Sequence, residues 1–262
     1  MNYIILGRES IIWMIKNIHG KKMEEKMEKV RLNKYLASLG IGSRREIDKM
    51  VEEKRIMVNG EYPNPGIKVN MKDKISVDGK VVGGKKEKKV YYLLNKPKKV
   101  ISAVKDDRGR RTVIDFVKTK ERIYPIGRLD YDTEGMIILT NDGDLYNKVI
   151  HPKEEVYKKY LIQAAGIIKK IKLGQLKAGI KLEDGMTLPA KVRFLKEEGS
   201  TTWLTVSIRE GRNRQVRRML DAIGHRVINL TRVKIGTISI GDLEVGKYRV
   251  LTKEEINYLK NV

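Results

Sequence analysis

Cysteine is missing altogether, histidine occurs only three times, and acids are heavily outnumbered by bases. Without cysteine there is no disulfide framework and no thiolate metal site. His19, His151 and His225 are too scattered to suggest a zinc centre, which leaves carboxylate-held magnesium as the metal chemistry still open. No apolar run reaches the roughly 20 residues of a membrane-spanning helix. The best candidate, NYIILGRESIIWMIKNIHG, is interrupted by Arg8 and Glu9 and has no small-residue cleavage site. Neither a membrane segment nor a secretory signal is therefore expected, and the cytoplasm is the expected compartment. The shortage of acid is the most informative lack. Against 56 Lys plus Arg stand 33 Asp plus Glu, a formal charge of +23. That exceeds what solubility needs and points to a polyanionic partner, nucleic acid or an anionic membrane.

The 262 residues suffice for one large domain or two ordinary ones, and 40% hydrophobic content supplies a core. Residues 1–29 read as an extension, expected to be loosely ordered or outside the native product, since Met23 and Met27 would each serve as a start. A small α+β unit is expected over 30–82. Leu32, Tyr35, Leu36 and Leu39 form one helical stripe, which Gly40 and Gly42 end. Ser43 and Glu46 in SRRE form a capping box for a second helix. Short strands follow, with turns at Asn59-Gly60 and Asp78-Gly79. GGKKEKK, residues 83–89, has nothing to bury and reads as a basic linker. From 90 to 262, strand-length runs outnumber helical ones and several are joined by short turns. The expected fold class is α+β, with a mostly antiparallel sheet and packed helices.

The acids that are present cluster. Residues 127–145, GRLDYDTEGMIILTNDGDL, hold Asp130, Asp132, Glu134, Asp142 and Asp144. In TNDGDL, Asp142 is expected to turn the chain and Asp144 to cap the next helix. The link GRLDYDTEG is longer than the two to five residues a hairpin needs. A carboxylate there suits a nucleophile or general base, with Arg128 placed to orient or neutralise it. The pattern alone also suits a plain connection between strands.

Two basic constellations accompany it. Arg44 and Arg45 follow the Ser43 cap, where a helix N-terminus favours phosphate, and Lys34, Lys49 and Lys54 extend the patch. On the helix expected at 212–223, Val216, Met219, Leu220 and Ile223 form the core stripe. At 100° per residue Arg214 and Arg218 point away from that stripe while Arg217 lies at its edge, tilted inward. A partly buried arginine needs a carboxylate, which a purely structural ion pair would also supply.

RLNKYLASLGIGSRREIDKMVEEKRIMVNG resembles the small RNA-binding domain first known from the fourth protein of the small ribosomal subunit. GRLDYDTEGMIILTNDGDL, VYKKYLIQ, REGRNRQVRRML and VINLTRVKIG, in that order, resemble ribosomal-RNA pseudouridine synthases of the Rsu and Rlu type. The similarity runs from about Arg31 to about Leu251. It implies a catalytic domain over 90–262 that isomerises uridine to pseudouridine, with Asp130 as the catalytic aspartate. Tyr160 would pack on the target base, Arg217 would pair with Asp130, Arg128 would touch the RNA backbone, and Leu230 would wall the pocket. Lys34, Arg44, Arg45, Arg214 and Arg218 are the expected RNA contacts. No metal and no cofactor are implied, and the partner is ribosomal RNA or a pre-ribosomal particle, met by a monomer. Asn213-Arg214 is closer to the large-subunit branch of the family, where the small-subunit branch carries an aromatic and a histidine. Two competing readings are a non-catalytic ribosome-assembly factor and a magnesium-dependent nuclease built on the acids.

Overall fold

The computed structural model describes residues 29–83, 87–150 and 156–262. The expected extension, apart from its last residue, and the middle of the expected linker lie outside them. The chain divides after Glu87 into two compact units.

The first unit runs β1 (Val30–Arg31), α1 (Leu32–Ser38), α2 (Arg44–Glu52), β2 (Ile56–Val58), β3 (Lys68–Val69), β4 (Ile75–Val77) and β5 (Lys80–Val82). Leu32, Leu36, Ile47 and Val51 close one face of the helix pair over Ile56, Val58, Val69 and Ile75. The capping box forms as expected: Ser43 accepts from the Glu46 amide, and Glu46 accepts from the Ser43 amide. Asn59 and Asp78 both have positive φ (54° and 49°), each followed by a glycine of positive φ. Two successive left-handed residues give the turn that matches strand twist, which is why Asn-Gly and Asp-Gly stand there.

The second unit is built on β6 (Tyr91–Lys96), β7 (Tyr124–Ile126), β8 (Glu134–Thr140), α3 (Gly143–Ile150), β9 (Lys158–Ala165), α4 (Lys170–Ala178), β10 (Lys181–Leu182), β11 (Gly185–Met186), β12 (Lys191–Glu198), β13 (Thr201–Ile208), α5 (Gln215–Ala222), β14 (Val227–Ile235), β15 (Ile238–Ser239), β16 (Tyr248–Val250) and α6 (Lys253–Asn261). Nine strands form one sheet in the order β12-β13-β9-β14-β8-β6-β16, with β15 on β14 and β7 on β8. Its pairings are antiparallel except for β14 against β8, where Thr231 meets Glu134 and Arg232 meets Gly135.

Strands β6 and β8 are covered on both faces. Leu93, Met136 and Ile138 pack with Leu145 and Val149 of α3 and Leu259 of α6. Leu94, Ile137 and Leu139 face the other way, onto Val113 and Leu129. Two-sided burial explains why MIILT reads as a continuous apolar run rather than an alternating one. At the far end of β8 the turn follows expectation but the cap does not. Asp142, nearly fully buried, accepts from the amides of Asp144 and Leu145 and from Tyr91 and Lys89. Asp142 therefore caps α3, and Asp144 lies inside its first turn. Burial would raise the Asp142 carboxyl, but Lys89 and Tyr91 outweigh it and hold it below its ordinary value.

The parallel pairing brings two backbones close. Gly135 has φ +106°, and a Cβ placed there would lie 2.3 Å from the Arg232 carbonyl oxygen. Both the left-handed conformation and the approach require glycine. Gly135→Ala is expected to lower unfolding free energy by about 3 kcal/mol or more, read from urea melts.

Candidate active site

The loop between β7 and β8 carries Asp130, and neighbouring elements fix its backbone. Ser102 Oγ donates to the Leu129 carbonyl and accepts from the Leu129 amide, a reciprocal pair just before Asp130. The Lys99 amide donates to the Tyr131 carbonyl at 2.7 Å, and the Thr133 amide donates to the Asp130 carbonyl at 3.1 Å. Lys96, completely buried at the end of β6, donates from Nζ to the carbonyls of Pro97 and Thr133, both at 2.9 Å. Arg217, buried on α5, donates from Nη2 to the Asp132 carbonyl (3.0 Å) and Thr133 Oγ1 (3.3 Å) and pairs with the Asp132 carboxylate at 3.3 Å. Its Nη1 reaches the Val227 carbonyl at 3.5 Å. The loop is thus held from below by two buried cations and from the side by main-chain bonds.

The acids on this loop have separate surroundings. Asp132 receives Arg214 Nη1 at 3.1 Å as well as Arg217. Burial would raise its carboxyl, but the Arg214 hydrogen bond and the two arginine charges more than offset that and leave it below its ordinary value. Asp130 keeps 32% of its side chain exposed and has Arg214 at 4.0 Å from its carboxylate.

Arg217 is buried at the edge of the stripe, as its helical angle indicates, but the ion pair it forms is with Asp132, two residues beyond the expected partner. Among the described residues the cation in ion-pair range of Asp130 is Arg214, which the helical angle pointed toward RNA. Arg218 is also engaged, since its two terminal nitrogens grip the Asp184 carboxylate in the β10–β11 hairpin at 2.9 Å each. Tyr160 on β9 is half-buried, packs against both the cluster that holds Val216 and Leu220 and the cluster that holds Leu129, and lies cross-strand from Arg232. Leu230 on β14 is buried in the same cluster as Val216, Met219 and Leu220 of α5. Arg128 is exposed. In the first unit Arg44 and Arg45 are exposed on the first turn of α2, and Lys34 is half-buried on α1.

Lys96 escapes a reading of the sequence, although the lysine closing an apolar run before Pro97 is the signal. Burial pushes its ammonium down to about 8, against the pull of Asp130, Asp132 and Glu134. The unfolded chain then holds a proton that the folded chain has released between about pH 8 and the ordinary lysine value of 10.5. Stability should rise with pH across that window. Urea melts at successive pH values should show wild type gaining on Lys96→Met there, and a pH-independent gap would contradict the shift.

The family model described as RNA pseudouridylate synthase matches residues 90–222, the part of the chain that holds this loop and α5. The chain belongs to the RNA pseudouridylate synthase family. A second model, the S4 domain, matches residues 30–75. Relatives cover nearly the whole chain. Ribosomal large subunit pseudouridine synthase B of Bacillus subtilis (strain 168) is 46% identical over 234 residues, 88% of this chain and 95% of that protein. The dual-specificity RNA pseudouridine synthase RluF of Escherichia coli (strain K12) is 35% identical over 87% of this chain and 77% of its own. A solved pseudouridylate synthase superposes with a TM-score of 0.64 at 30% identity, covering 88% of this chain and 99% of that one. The chain is accordingly a pseudouridine synthase with an S4 domain, and a non-catalytic assembly factor is not favoured. No helix among the described residues is long and apolar enough to cross a membrane.

Proposed function

We propose that this synthase isomerises a specific uridine of large-subunit ribosomal RNA, free or in a pre-ribosomal particle, acting as a cytoplasmic monomer, with Asp130 as the catalytic carboxylate. One observation carries the choice of acid. Asp142 is spent on capping α3 and Asp132 on two arginines, whereas Asp130 is half-exposed on a loop locked by buried groups. A rigid backbone under an accessible carboxylate is what nucleophilic or general-base chemistry requires. The bond from the ribose C1′ to the uracil N1 breaks, a bond from C1′ to C5 forms, the C5 proton leaves and N1 gains a proton. Atoms are conserved, so the reaction has no oxidant or reductant to supply.

The target uridine has to leave its stack, which costs a few kcal/mol offset by pocket and phosphate contacts. Tyr160 would take the flipped base on its ring, Leu230 would support the wall behind it, and Arg128 would hold the neighbouring phosphate. Arg217 acts on Asp130 by fixing the loop and by its charge. The large subunit is favoured by Asn213-Arg214 and by the likeness to the Bacillus subtilis protein. Mapping pseudouridine after incubating the purified protein with unmodified ribosomal RNA of both subunits tests this. Modification confined to the small-subunit RNA would overturn the assignment.

Arg44 and Arg45 of the S4 domain would supply phosphate contacts. Replacing both by alanine should weaken RNA binding and reduce the slope of log affinity against log salt by about 1.5 to 2. The rate at saturating enzyme should stay the same, and an unaltered salt slope would remove these residues from the interface.

A further inference from the structure

Arg214 occupies a position that is locally unfavourable twice over. It is the N-cap of α5 with φ 47° and ψ 30°, in the left-handed region. Of the other non-glycine residues described with positive φ, Asn59 and Asp78 are of the short polar kind that tolerates it, while Lys54 and Lys99 are long side chains like Arg214. Arg214 makes no side-chain cap hydrogen bond in return. A cation at a helix N-terminus also opposes the helix dipole. An arginine serving only to touch phosphate needs neither feature, because its long side chain reaches outward from ordinary backbone. Strain of this kind is a pointer to function.

The guanidinium shows where the benefit lies. It bridges two carboxylates, 3.1 Å from Asp132 and 4.0 Å from Asp130. Arg217, buried beneath, directs its bonds to Asp132, Thr133 and Val227. We infer that Arg214 is a positioning residue for Asp130: anchored on Asp132, its guanidinium holds the Asp130 carboxylate in place on the catalytic loop. The inference rests on the role proposed for Asp130. The other charges facing that carboxylate are Arg217 from the same helix, Lys96 from β6 and Asp132 from its own loop.

Full-length Arg214→Gly and Arg214→Lys separate this role from its rivals. Glycine accepts the left-handed backbone without strain, so α5 can still start there. Tritium release from C5-labelled RNA is measured in single turnover at saturating enzyme, alongside RNA affinity by filter binding. Arg214→Gly should slow the saturated rate about tenfold or more. RNA affinity should stay within about threefold of wild type. Arg214→Lys should recover part of the rate. Weakened binding with an unchanged saturated rate would make Arg214 a phosphate contact and overturn the inference. So would a variant altered in thermal stability alone. Absence of tritium release by the wild-type protein would instead count against the role of Asp130 itself.

Discussion

Asp130→Asn is expected to lower release of tritium from uridine labelled at C5 by at least about 10⁴-fold while leaving the fold intact. The substitution keeps the size of the side chain and removes its charge. The bonds that hold the loop spare this carboxylate: Thr133 takes the Asp130 carbonyl, Lys96 takes the Thr133 carbonyl, and Ser102 takes Leu129. The variant should therefore melt like wild type. Its RNA affinity should be equal or slightly higher, since one negative charge has left a surface that meets phosphates. Asp130→Ala should behave the same way, and chelator should not affect release by the wild-type protein. Release by Asp130→Asn at the normal rate would sink the assignment of the catalytic acid.

Arg217→Ala is expected to cost both turnover and stability, through a less direct route. The guanidinium joins the Asp132 carbonyl, Thr133 Oγ1 and the Asp132 carboxylate to α5, and reaches Val227. Its loss leaves buried acceptors unsatisfied and a carboxylate short of a partner, worth about 3–5 kcal/mol. The loop under Asp130 then loosens, and a displacement of about 1 Å is enough to cost about 100-fold in rate. Arg217→Lys keeps the charge but cannot reproduce the fork, so it should regain stability more than activity. Urea melts and single-turnover rates on the same preparations separate the two losses. Unchanged turnover in Arg217→Ala would return this arginine to a purely structural place.

What the sequence discloses depends on whether a residue answers to a local period. The Val216, Met219, Leu220 and Ile223 stripe is periodic, and it correctly tilts Arg217 inward. The Ser43 box and the glycine turns rest on short-range chemistry, and they form as expected. The partners of the arginines answer to no period. Asp184, which takes Arg218, sits in a hairpin far along the chain, and Asp132 replaces Asp130 opposite Arg217 because the loop backbone turns between them. The cap of α3 is misread by two residues because Asn141, Asp142 and Asp144 are all chemically suited to helix starts, and it is the buried Tyr91 hydroxyl together with Lys89 that selects Asp142. Lys96 stays hidden since β6 is covered on both faces and offers no alternation to betray an inward-pointing cation.

The parallel contact between Gly135 and Arg232 also has a bearing on when the enzyme becomes active. Asp130 is made about halfway along the chain, whereas Arg217 and the strand against Gly135 come close to a hundred residues later. A nascent chain therefore carries its reactive carboxylate unsupported until most of the second unit has been translated. Contacts this distant in sequence close slowly. Maturation of the active site is in effect a report that the second unit has been made and folded, so prematurely terminated chains would be inert toward the RNA around them.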